Sequence, residues 1–192
     1  MAQQEQPLEE LRVAILATDG VEQIELTDPR ATLEEAGALV DVVAPHGGSI
    51  QGMNHLDKGD LIPVDFALDE TDAEQYDALV LPGGVFNADR LRADERALEF
   101  VRAFDRAQKP IAVICHGPWT LVSADLVRGR TLTSYHTIRD DIVNAGGQWV
   151  DQPVVVEGNW VSSRGPKDLR VFDERMIERF RRSAERRVPR AA

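Results

Sequence analysis

A chain of 192 residues with 43% hydrophobic and 29% charged side chains can bury one substantial core and is too apolar to stay disordered. A formal net charge of -11 works against general binding to nucleic-acid phosphates, and no apolar run is long enough to span a bilayer. The opening MAQQEQPLEE lacks the basic and apolar regions of a secretory signal, and one cysteine cannot form an internal disulfide, so a reducing, cytoplasmic setting is expected.

Along the chain, short apolar runs alternate with segments of helical period. LRVAILA reads as a buried strand, followed by a helix in VEQIELTDPRATLEEAG with a restart or kink at Asp28-Pro29 and a stop at Gly37. ALVDVVAP is a second strand. The Gly-rich segment after it, through LIPVDFALDE, reads as a small hairpin region in which His46 and His55 are loop residues. EQYDALVLPGG is a strand ending in a double glycine. DERALEFVRAFDRAQK sets Ala97, Phe100, Val101, Phe104 and Gln108 near one face of a helix.

PIAVICH is the next strong strand, and GPWTLVSADLVRG the helix after it. RTLTSYHT is expected to be a strand and IRDDIVNAGG a short helix. WVDQPVVVEGNWVSS reads as a hairpin hinged at Glu157-Gly158-Asn159. The chain closes as a helix with Leu169, Phe172, Met176 and Phe180 on one stripe. This alternation implies βαβ units, a mostly parallel sheet covered on both faces, and a single domain over 1–192. Residues 1–10 and 183–192 are expected to be loose termini, the second a basic strip of solvated helix turn and frayed end.

In open α/β sheets, ligands bind beyond the carboxyl ends of the strands, and three features fall there. Cys115 sits between a strand and a helix opened by Gly117-Pro118, where peptide N–H groups and the helix dipole favour a thiolate. Partial ionisation of the thiol at neutral pH is therefore expected. His116 can serve as its base or imidazolium partner only if the turn is sharp, since neighbours on a strand point to opposite faces. Gly117 gives room for such an elbow, although Val113 stands where the G-x-S-x-G elbow has its first glycine. Pro82-Gly83-Gly84 can form part of an oxyanion hole or a plain turn, and Glu22 can reach the thiol or sit exposed at a helix start. The four histidines and the cysteine show no metal-ligand spacing, so no metal or cofactor is expected.

The runs DALVLPGG, KPIAVICHGPW and RGRTLTSY, with GNWVSSRGPKDL near the end, strongly resemble the PfpI-type intracellular cysteine proteases of the ThiJ/PfpI superfamily. The resemblance runs from about Arg12 to Phe180 and implies a flavodoxin-like three-layer sandwich with a nucleophile-elbow cysteine. By motif it gives Cys115 as nucleophile, His116 as its neighbour and Glu22 as the carboxyl hydrogen-bonded to the cysteine. Gly83 and Gly84, with the His116 N–H, match the family's oxyanion-hole amides. Asp89 stands where a partner subunit's acid reaches the histidine, which implies a homo-oligomer, at least a dimer.

The implied function is a cysteine-centred stress-response protein hydrolysing peptides through a thiolate. The alternatives are a cofactor-free glyoxalase or deglycase acting on small carbonyl compounds such as methylglyoxal adducts, or a non-enzymatic redox sensor or chaperone. A class I glutamine amidotransferase is excluded because no histidine follows His136.

Overall fold

The computed structural model describes residues 7–187. β1 (Arg12–Leu16) is buried at every position after Arg12, as suits a strand in the middle of a sheet covered on both sides. A short β2 (Val21–Glu22) leads into α1 (Gln23–Glu35), whose end is followed by Gly37 at φ 96, a conformation that costs glycine little. The expected break at Asp28-Pro29 does not occur. Pro29 lies buried inside one continuous helix, its missing N–H leaving the Glu25 carbonyl without the usual partner four residues on.

β3 (Leu39–Ala44) is followed by the expected hairpin, β4 (Ser49–Asn54) against β5 (Asp57–Pro63), and β2 pairs with β4 in a small separate sheet. β6 (Phe66–Ala67) and β7 (Ala78–Leu81) precede α2 (Val85–Leu91) and α3 (Glu95–Arg106). Asp94 caps α3 by accepting from the Arg96 N–H at 2.9 Å. α3 buries Ala97, Phe100, Val101 and Phe104, but Gln108 lies past the helix end, exposed and at φ 53.

β8 (Ile111–Ile114) is wholly buried, and α4 (Pro118–Ser123) is shorter than its sequence segment suggests. The expected RTLTSYHT strand shrinks to β9 (Thr131–Leu132), because the next N–H, on Thr133, donates to the Ser162 hydroxyl instead of a strand partner. After α5 (Arg139–Asn144), β10 (Gln148–Trp149) pairs with β9. The hairpin of β11 (Val154–Glu157) and β12 (Trp160–Ser163) is in the expected place, with Glu157 opposite Trp160. α6 (Leu169–Arg187) buries Leu169, Phe172, Met176 and Phe180.

The main sheet has strand order β11-β12-β8-β7-β1-β3-β6, parallel throughout except at the β11–β12 edge. On one face Val13, Ile15, Val80 and Ile114 pack with α1 and α6 through Leu26, Leu33, Phe172 and Phe180. On the other, Ala14, Leu79, Leu81 and Val113 pack with α3, α4 and α5 through Phe104, Leu121 and Ile142. The result is the flavodoxin-like three-layer sandwich, with β8 and β7 at its centre. Each large side chain fully withdrawn from water contributes roughly 1.5–3 kcal/mol to holding these layers together.

A polar clamp fixes the start of β12. Asp105 Oδ1 accepts from Trp160 Nε1 (2.9 Å), Arg130 (2.9 Å) and Asn159 Nδ2 (3.2 Å), while the Arg130 guanidinium lies 4.0 Å from the Trp160 ring centroid. The expectation of a loose N-terminus fails at Leu8, which is fully buried and donates its N–H to Ala36 O at 3.0 Å. At the other end α6 continues as helix to Arg187; residues 1–6 and 188–192 lie outside the described residues. No helix among the described residues is long and apolar enough to cross a membrane.

Candidate active site

At the carboxyl end of β8 the chain turns abruptly. Cys115 takes φ 60, the left-handed region, at a cost on the order of 1–3 kcal/mol for a residue with a Cβ. Its N–H donates to Ser163 O (3.0 Å) and its carbonyl accepts from the Tyr135 N–H (2.9 Å), so two distant segments hold the strained residue in place. Gly117 closes the turn by donating to Ile114 O at 2.9 Å; a Cβ there would fall 2.6 Å from Leu81 O. Glycine is required at that position. Val113 belongs to the core on the opposite face, so the missing first glycine of the elbow motif does not matter.

The sharp turn brings the Cys115 and His116 side chains together, with Sγ 3.3 Å from Nδ1. Nε2 lies 3.3 Å from Thr137 Oγ1. The buried ring stacks on Tyr135 at 4.9 Å and 29°, with Trp119 at an edge 5.4 Å away. Burial, and then the neighbouring His136, lower the His116 pKa. The imidazole is therefore neutral at pH 7 and free to accept a proton.

The carboxyl beside the thiol belongs to Glu25. Glu22 ends β2 in the N-cap position of α1, and its carboxylate turns away to accept from the His55 N–H at 3.2 and 3.3 Å, tying down the β4–β5 hairpin tip. Glu25, one turn into the helix, projects inward and is fully buried. Its Oε2 accepts from the Gly83 N–H at 2.9 Å; Oε1 has no conventional partner, and the thiol is the side chain that interacts with this carboxyl. Burial raises the Glu25 pKa to about 8, against the lowering effect of the Cys115 and Gly83 hydrogen bonds. At neutral pH Glu25 is an acid.

Burial also pushes the Cys115 thiol up, followed by the charge and hydrogen bond of Glu25, while the Gly84 and His116 N–H groups pull it back. The expectation of a thiolate formed at rest by the helix N-terminus is thus reversed. α4 is only a turn and a half long, and desolvation against a carboxyl outweighs it. The expected oxyanion hole also changes. The Gly83 N–H is already committed to Glu25, which leaves the Gly84 and His116 N–H groups turned towards Sγ. Gly83 contributes by its lack of a side chain, since a Cβ would sit 2.4 Å from Glu25 Oε2 and 2.6 Å from Cys115 Cβ.

Asp89 lies on the exposed side of α2, in mid-helix, and both ring nitrogens of His116 have partners within the chain. Above the thiol opens a cleft of about 820 Å³, lined by Glu22, Glu25, His55, His116, Tyr135 and Lys167 among others. Arg164 on its wall is tied to Asp168 (2.8 Å) and Asp151 (2.8 Å), a fixed strut at the rim. Among the described residues no group of three or more His, Cys, Asp and Glu side chains could hold a metal ion. Sequence reasoning missed Glu25, Tyr135 and Thr137. For Glu25 a signal existed: it is the second carboxyl of the same DGVEQIEL motif, three residues after Glu22.

The family model described as DJ-1/PfpI family matches residues 11–179. A protein of Bacillus subtilis (strain 168) named "Putative cysteine protease YraA" is 42% identical over 166 residues, covering 86% of this chain and 96% of its own length. Deglycase PfpI of Pyrococcus furiosus is 43% identical over 159 residues, covering 83% of this chain and 93% of its own. Among solved structures, Schizosaccharomyces pombe DJ-1 superposes with a TM-score of 0.78 at 22% identity, over 93% of this chain and 100% of that one, a likeness of fold.

Proposed function

The chain belongs to the DJ-1/PfpI family, and from that premise we propose that it is a cofactor-free cysteine hydrolase attacking carbonyl carbon, with peptide bonds as its leading substrate. The observation that carries this reading is the base at the elbow: His116, held neutral by burial, sets Nδ1 3.3 Å from the Cys115 sulfur.

In this reading the thiol proton passes to His116 Nδ1 as sulfur attacks the carbonyl carbon. The oxygen that gains charge accepts from the Gly84 and His116 N–H groups. Collapse of the tetrahedral adduct breaks the C–N bond, and the imidazolium returns its proton to the leaving amine. Water then hydrolyses the thioester, restoring the thiol.

A second reading rests on Glu25. Peptide cleavage has no need of a protonated carboxyl buried against the sulfur, whereas conversion of methylglyoxal and water to lactate moves a proton between adjacent carbons. A deglycase or glyoxalase would use such a carboxyl for that transfer, and four relatives carry the deglycase name. The physiological setting we infer is a stress response, and the working assembly a homo-oligomer, at least a dimer, which light scattering at micromolar concentration tests.

The deciding experiment compares the parent with Cys115→Ala on an unfolded protein, on methylglyoxal and on methylglyoxal-modified amines. Peptide release confined to the parent supports the first reading, and lactate or amine release the second. Turnover that survives in Cys115→Ala overturns both. No turnover with fast oxidation of Cys115 by peroxide would favour redox sensing instead.

A further inference from the structure

A buried imidazole with a lone pair facing a thiol works as a base only if its ring is oriented and its other nitrogen carries the proton. Triads supply this with a carboxylate. Among the described residues no carboxylate bonds His116; its Nε2 meets a hydroxyl, Thr137 Oγ1, at 3.3 Å. Thr137 lies in the single helical turn His136–Ile138, whose preceding residue, Tyr135, donates its N–H to Cys115 O and stacks on the His116 ring. The hydroxyl and the thiol are thus fixed on opposite sides of one imidazole by a single short segment.

We propose that Thr137 is the positioning residue of His116, accepting the Nε2 hydrogen so that the Nδ1 lone pair faces the Cys115 thiol. The step it supports is a balanced proton transfer. The S–H bond breaks as an Nδ1–H bond forms, and the resulting imidazolium donates from Nδ1 to the sulfur and from Nε2 to Thr137 Oγ1. A hydroxyl serves where a carboxylate would be costly, because the ring is buried, with His136 and Tyr135 beside it and the Cys115–Glu25 pair at its other nitrogen. A neutral acceptor orients the ring without adding a second buried charge. The inference rests on the reading of Cys115 as the nucleophile, but its test does not need turnover.

The parent protein labelled with 15N-histidine should give an Nε2–H signature for His116 in its neutral form. Thr137→Val, which keeps the shape and removes the hydroxyl, should mix the two tautomers. It should also slow iodoacetamide alkylation of Cys115 near neutral pH by about fivefold, the factor of one neutral hydrogen bond. Thr137→Ser should restore both, and where a substrate is found, kcat should fall in Thr137→Val with KM unchanged. An Nδ1–H tautomer in the parent overturns the proposal without recourse to any variant. It is equally overturned if Thr137→Val leaves tautomer and alkylation untouched, or if Asp89→Asn, rather than Thr137→Val, disturbs the ring. Failure of every hydrolase assay would sink the proposed function while leaving the tautomer result standing.

Discussion

Replacing Glu25 with glutamine should change how stability depends on pH more than it changes stability itself. Glutamine keeps the shape and an oxygen for the Gly83 N–H, but has no proton to lose. In the parent, burial moves the carboxyl from an ordinary 4.5 to about 8. Between those two values the folded protein holds a proton that the unfolded chain has released. The stability this group contributes is full below 4.5 and is lost as pH rises to about 8. The loss runs at about 1.4 kcal/mol per pH unit, or roughly 3 kcal/mol between about pH 6 and pH 8. Glu25→Gln has no such loss. Urea denaturation of both proteins across that range should therefore show the variant gaining on the parent by roughly 3 kcal/mol. Parallel curves would mean that Glu25 is ionised in the folded protein at neutral pH, and its assignment as an acid beside the sulfur would be wrong.

Gly83→Ala should be poorly tolerated, because its methyl group would meet Glu25 Oε2 at 2.4 Å and Cys115 Cβ at 2.6 Å. We expect a loss of roughly 1–3 kcal/mol on denaturation and an altered Cys115 alkylation rate. Asp173, buried where α6 faces α1, has its carboxyl raised to about 8 by burial and then by the hydrogen bond and charge of Asp28. Its stabilisation is likewise lost as pH rises from the ordinary 3.8 towards about 8, so Asp173→Asn should flatten what slope remains in Glu25→Gln. Asp105→Ala leaves Trp160 Nε1 without its acceptor, while the Arg130 guanidinium keeps Asn159 and Glu157, and should cost roughly 1–3 kcal/mol in a denaturant titration.

The sheet was legible because its strands are short, unmixed apolar runs, and those around Cys115 are buried on both faces. The elbow was legible too, since cysteine followed by His-Gly-Pro after such a run leaves little else for the chain to do. Failures came where tertiary contacts overrode local pattern. Pro29 reads as a break, yet the packed face of α1 carries it. RTLTSYHT reads as a strand, but Thr133 finds a serine hydroxyl. The exchange of Glu22 for Glu25 has the same origin. Both stand in one motif, and only the start of α1 at Gln23 decides which carboxyl points inward. The acid state of Glu25 was invisible because it depends on burial beneath a loop almost sixty residues away. Thr137 was invisible for a similar reason, because the segment carrying it is held at Cys115 O by a backbone bond that no side-chain pattern encodes.

The two hydrogen bonds that hold Cys115 in its strained conformation come from Tyr135 and Ser163, both later in the chain. A ribosome delivers the cysteine well before either. Until β12 slides in beside β8, nothing obliges residue 115 to leave an ordinary extended conformation, and the thiol has neither its base nor its acid arranged around it. The emerging polypeptide thus carries an ordinary free thiol during synthesis, and the catalytic arrangement around it is complete only when the penultimate element docks. A copy cut short before Ser163 would carry the nucleophile and lack the grip that makes it one.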